Sequence, residues 1–145
     1  MHLLVPDGGE TYASLMTDDL MRRALRTSVL FNLGGALLFA FPASLGMLAG
    51  LPGPVPHVYS AFIAVMVTLF AGTYAWLAGQ PEIDRPLVAF SALGKTGFFA
   101  VVLVCWLLGE VPGRAVIGAS GDLVFAALFF RWLASSAHAL SRSRA

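Results

Sequence analysis

Two charged residues stand inside long apolar runs of this 145-residue chain: Lys95, at the end of Ser91-Ala92-Leu93-Gly94-Lys95, and Asp122, within Gly121-Asp122-Leu123. Charges so deep in a membrane span are rare and costly, and they face a protein interior or a wet cavity. Lys95 lies nine residues past Pro86, and Asp122 lies eleven residues before Leu133. With a rise of about 1.5 Å per residue these depths are about 14 and 16 Å, a difference that a lysine stem covers. The matched depths predict an ion pair. Such a pair either locks two helices together or lines a polar pocket, because buried pairs often fix geometry without adding net stability.

Other polar residues converge on the same level. Asn32 enters seven residues into the first apolar run, Thr68, Thr73 and Tyr74 lie in the corresponding half of the second, and Ser91 precedes Lys95 by one helical turn. Asn32 by itself reads as an interhelical hydrogen bond. Together, Lys95, Asp122, Asn32, Ser91 and Tyr74 form a candidate ligand-binding set. Phe98, Phe99, Val102 and Trp106 continue the Lys95 side of its helix, and Gly118, Asp122, Phe125 and Phe129 recur at helical spacing. Aromatic stripes of this kind most often serve packing; a pocket between them would suit a flat or chain-like apolar molecule with one polar end.

Catalytic and metal chemistry have little support. His57 and His138 fall at opposite ends of the helical runs, about a bilayer apart, and His2 lies in the N-terminal arm, so they do not converge on a metal or haem. The lone Cys105 excludes a disulfide framework and argues against the paired-cysteine relay of mercury transport. No G-x-S-x-G, H-E-x-x-H or phosphate-binding glycine loop occurs, and no cofactor is expected. Glu110 and Arg114 are placed to pair at a surface, and Glu82, Asp84 and Arg85 read as a solvated loop.

The elements that must position these residues follow from composition. The chain is 58% hydrophobic and 12% charged, with a mean hydropathy of +0.80. A soluble domain this small cannot bury so much apolar surface. A formal charge of +1 gives no basis for nucleic-acid binding. Four apolar runs, 25–48, 58–79, 86–109 and 114–133, each reach the roughly 20 residues that cross a hydrocarbon core. Short loops rich in Pro and Gly separate them, so an all-α, up-down-up-down four-helix transmembrane bundle is expected over 17–133. Residues 1–16 read as a mobile or surface-lying arm, Thr17, Asp18 and Asp19 as the start of a helix, and 134–145 as a tail. Pro42 leaves either a kink in the first helix or an early end to it. Asp7, Glu10, Asp18 and Asp19 precede the first run, unlike the basic start of a cleavable signal peptide, so that helix should persist in the mature protein.

Arg22, Arg23, Arg26, Arg85, Arg131, Arg142 and Arg144 fall on one side of this arrangement and Arg114 on the other. Positive-inside bias then puts both termini in the cytoplasm. Tyr59, Trp76, Trp106 and Trp132 lie near the ends of the runs, where aromatic residues anchor at the interface.

From Arg22 to Trp132 the layout of four short-looped helices with basic inner ends resembles the small bacterial membrane proteins called DoxX-like. In these an arginine leads into a first helix rich in Gly and Phe, as Arg26, Gly34, Gly35 and Phe39 do here. The resemblance implies a bacterial inner-membrane accessory protein, in a group linked to redox-associated roles, with no defined reaction. The stretches around Lys95 and Asp122 stand outside it.

The leading expectation is a membrane accessory or binding protein that holds a lipid-like or ring-shaped apolar ligand, or docks to a larger membrane complex. The alternatives are an oligomeric proton-coupled transporter using Asp122 and Lys95, which needs a homodimer to enclose a path, and an intramembrane lipid isomerase.

Overall fold

The computed structural model describes residues 8–53 and 55–142, with side chains for 17–53 and 55–135. Helices dominate, and no strand occurs among the described residues. The order is α1 (Gly8–Ala40), a π-helical stretch (Pro42–Gly46), α2 (Met47–Ala49), α3 (His57–Gly79), α4 (Arg85–Leu107) and α5 (Gly113–Arg142). α3, α4 and the first 23 residues of α5 are each long and apolar enough to cross a membrane, and α1 with its bent continuation makes a fourth candidate.

Two boundaries differ from the sequence expectation. Helix α1 begins at Gly8, so Thr17, Asp18 and Asp19 lie inside it and do not start it. The run Glu10-Thr11-Tyr12-Ala13-Ser14-Leu15-Met16 holds no Gly or Pro to stop a helix, and Glu10 belongs to the first turn, where an acidic residue favours one. Of the expected arm, residues 1–7 lie outside the described residues, as do 143–145 of the tail, whose earlier part continues α5.

The second difference is at Pro42, where the first span does not run on to residue 48. A proline there has no N–H to donate, and its ring would strike the carbonyl of Leu38 in a straight helix. α1 therefore stops at Ala40, and the chain turns by 100° into the segment Pro42–Ala49. Two glycines allow this elbow to fold tightly. A Cβ on Gly46 would stand 2.9 Å from the Leu38 carbonyl oxygen, and Gly50 takes a φ of +88° with its Cβ position 2.7 Å from Pro112. The Arg114 guanidinium donates to the Met47 carbonyl at 3.3 Å, tying the elbow to the start of α5; Arg114 thus engages backbone in place of the expected partner Glu110.

The backbones of α1 and α3 run close together, as do those of α4 and α5, and α1 also meets α5. α3 and α4 are joined by side chains, with the rings of Phe70 and Phe90 stacked at 5.9 Å. The core is concentrated at the end that carries the termini, where Leu25, Tyr74, Leu77, Val88, Ala92 and Phe129 are almost fully buried. Toward the far end α4 has no comparable cover, and Val101, Val104, Leu107 and Leu108 are exposed.

Polar caps close the terminal end. Arg22 donates to the carbonyls of Ala78, Gln80 and Pro81 at 3.1, 2.5 and 2.8 Å, completing the C-terminus of α3. Asp84 caps α4 by accepting from the Leu87 N–H at 2.8 Å, with Pro86 in the first turn. Arg85 donates to the Leu133 carbonyl at 2.7 Å and lies 5.5 Å from the centre of the Trp132 ring. The Trp132 indole N–H donates to Asp18 at 2.8 Å. Asp84 and Arg85 are thus built into helix ends and are not free loop charges. Trp132 is buried between α1 and α5, unlike the exposed Tyr59, Trp76 and Trp106.

Candidate functional site

Asn32 on α1, Tyr74 on α3, Lys95 on α4 and Asp122 on α5 meet just above the terminal-end core. The chain positions them through ordinary helix geometry. Lys95 is ten residues beyond the capped start of α4, which places it about 15 Å along that helix, half the depth of a hydrocarbon core. Small neighbours let the helices approach, since Ala92 is fully buried and Ala126 nearly so.

The Lys95 ammonium donates to Asp122 Oδ1 at 2.7 Å and to Asn32 Oδ1 at 3.0 Å. The side chains of Lys95 and Asp122 are 3% and 12% exposed, so the charges are removed from solvent together. Nζ also stands 5.3 Å from the centre of the Phe31 ring, 5.1 Å from Tyr74 and 5.1 Å from Phe125. The ammonium therefore sits in a three-ring cage with oxygen acceptors on one side, an arrangement in which ring quadrupoles supplement the ion pair. Two of its three hydrogens have oxygen partners, which leaves one N–H for an acceptor. Asn32 uses its amide nitrogen as well, donating to the Val67 carbonyl at 3.5 Å.

Beside this group lies a cavity of about 120 Å³. Lys95, Asp122, Asn32 and Tyr74 form its polar side, and the remaining wall is apolar, from Phe31 and Phe39 on α1 to Val67 and Phe70 on α3 and Gly94 and Phe98 on α4. Phe39 and Phe98 meet edge to face at 6.4 Å on the far side. Toward α5 the wall is solid, because Phe31 packs on Phe125 at 5.5 Å and a Cβ on Gly121 would fall 2.5 Å from the Phe31 ring.

The remaining candidate residues are placed differently. Ser91 is fully buried, donates to the Leu87 carbonyl at 2.8 Å and interacts with Tyr74, so it supports the tyrosine from behind and does not line the cavity. Thr68 and Thr73 bond back to the carbonyls of Ala64 and Leu69 in their own helix and do not join the polar layer. Cys105 is half-buried, and His57 is exposed at the start of α3. The side chain of His138 and the whole of His2 lie outside the described residues. Among the described residues no group of three His, Cys, Asp or Glu side chains comes together to hold a metal ion.

Sequence reasoning missed Phe31 and the caging role of Phe125. A signal for each was present, since Phe125 follows Asp122 by three residues and so shares its helix face, and Phe31 adjoins Asn32. No family model, curated protein or solved structure matches the chain.

Proposed function

We propose that this protein is a multi-pass component of a bacterial inner membrane, with both termini in the cytoplasm, that binds a small amphiphile in the cavity beside Lys95. The observation that carries this reading is the position of a caged ammonium, with one N–H to spare, at the floor of an otherwise aromatic and aliphatic cavity. Pockets for amphiphiles share this plan of apolar walls and few polar groups that set orientation. An apolar cavity of about 150 Å³ accepts benzene, so the 120 Å³ here suits one ring or a short stretch of chain, with the rest of the ligand extending into the bilayer. A ring or head-group oxygen would accept from Lys95, with Asn32 and Tyr74 orienting it. The DoxX-like resemblance supports placing the protein as an accessory to a larger membrane complex. Both alternatives, proton-coupled transport and intramembrane isomerisation, ask Asp122 to act as a free acid–base group, whereas it is engaged by Lys95 at 2.7 Å.

Extraction from native membranes into nanodiscs, followed by mass spectrometry of the bound small molecules, tests the reading. A Gly35→Leu variant adds a side chain to the cavity wall while keeping every member of the charged group, at a position whose Cβ would meet Val67 at 3.7 Å. A ring-bearing or chain-like molecule should accompany the wild-type protein and be lost from this variant. An identical set of molecules in both would overturn the proposal.

A further inference from the structure

The cavity is walled on three sides and weakly closed on the fourth. α1 seals it behind, Phe31 and Phe125 block the α5 side, and the buried core closes the terminal end. The backbones of α3 and α4 pack far less closely than those of α1 and α3 or of α4 and α5; Tyr74 reaches Lys95 below, and at Gly94 the gap is bridged by Phe70, lying 3.6 Å from that glycine's Cβ position. Gly94 itself is exposed, as are Phe90 on one side of it and Phe98 on the other. This gap faces outward from the helices at the level of Lys95, about 15 Å along α4. The site behind it carries one positive and one negative charge in contact, hence no net charge.

Resting on the binding reading above, we infer that the ligand is an uncharged, bilayer-resident amphiphile that enters sideways between α3 and α4, with Phe70 and Gly94 forming the portal. A molecule approaching along this route stays in hydrocarbon throughout. It can therefore carry an acceptor oxygen, whereas an ionic group would have to be desolvated and would meet a site whose charges are already matched. Phe70 stacked on Phe90 supplies a ring that swings aside by side-chain rotation, without movement of a helix.

The test uses the full chain in phosphatidylcholine nanodiscs with a defined photoprobe, the dodecyl ester of an aryl-diazirine benzoic acid, and a second probe identical except for a trimethylammonium group on the ring. Labelled peptides are mapped by mass spectrometry. The neutral probe should label residues around Val67 and Phe98, and the charged probe about tenfold less, corresponding to about 1.4 kcal/mol. Gly94→Trp should lower neutral labelling about tenfold, Phe90→Ala should raise it several-fold, and Gly72→Trp, at an exposed α3 position with nothing within 4 Å of its Cβ, should leave it unchanged. Should Gly94→Trp fail to fold, the response to Phe90→Ala decides. Wild-type labelling of the cavity that neither Gly94→Trp nor Phe90→Ala alters would overturn lateral access while leaving binding intact. Equal labelling by the charged probe would overturn the requirement for a neutral ligand. Absence of cavity labelling in both wild type and Phe90→Ala would instead remove the binding reading on which the inference rests.

Discussion

Lys95 Nζ and Asp122 Oδ1 lie 2.7 Å apart across the α4–α5 interface, with both side chains shielded from solvent. Removing one member strands the other, whereas removing both leaves no unpaired charge, only the Asn32 Oδ1 without its donor. Lys95→Met should therefore destabilise the protein in detergent by about 3 kcal/mol, and Lys95→Met with Asp122→Leu should recover most of that loss. Thermal melting of the two variants and of Asp122→Leu completes the cycle. Additive losses would contradict the pairing.

Arg22 holds three carbonyls at the end of α3 from one guanidinium. Arg22→Ala should cost about 2 kcal/mol, in the range for hydrogen bonds to a charged group. Arg22→Lys should restore only part of it, because an ammonium lacks the planar fork that reaches several acceptors at once. A lysine variant as stable as wild type would show that charge alone matters at this site.

The cage around Lys95 depends on the absence of a side chain at position 121. Gly121→Ala places a methyl group against the far edge of the Phe31 ring, which must move off Phe125 and the ammonium and into the cavity it lines. The expected loss is about 1–3 kcal/mol, as for other overpacked cores. Combining it with Phe31→Leu should relieve the clash, and a double variant no more stable than Gly121→Ala would rule out this contact as the cause.

Topology is open to direct labelling in a Cys105→Ala background. With both termini cytoplasmic, a cysteine replacing Gly53 should react with a membrane-impermeant maleimide on intact cells, and one replacing Glu82 should react only after permeabilisation. Both positions are exposed, so access depends on sidedness. The reverse pattern would invert the orientation argued from the arginine asymmetry.

The apolar runs and the depth match of Lys95 with Asp122 were legible because both depend on distance along a helix, which sequence supplies directly. The helical character and the apolar helices are present, and the two charges meet. Pro42 announced an interruption but not its form, since the 100° turn also needs Gly46 and Gly50 to let the chain return against Leu38 and Pro112. Thr68 and Thr73 shared the right depth with Asn32, yet depth does not fix which way a residue points around its helix. Arg22 and Arg85 read as topology signals by their charge, and their work as helix caps depends on carbonyls some fifty residues away, on segments whose proximity periodicity does not reveal.

The hairpin of α4 and α5 has a consequence for how the chain is made. Lys95 and Asp122 are separated by 27 residues, so both can be in hand before either helix is released from the insertion machinery. Each charge alone would add about 2.5–3.5 kcal/mol to the cost of insertion at a helix centre. In a membrane-inserted chain, the two delivered as a pair would enter the lipid already neutralised. A nascent chain halted after Leu107 has no such option, and its last helix would be held back from the bilayer until the next one arrives. Asn32 and Asp18, by contrast, precede their partners by 63 and 114 residues. Helix α1 can thus settle against α3 early, through Arg22 and the Asn32–Val67 contact, while Asn32 Oδ1 and Asp18 wait for partners that only α4 and α5 bring.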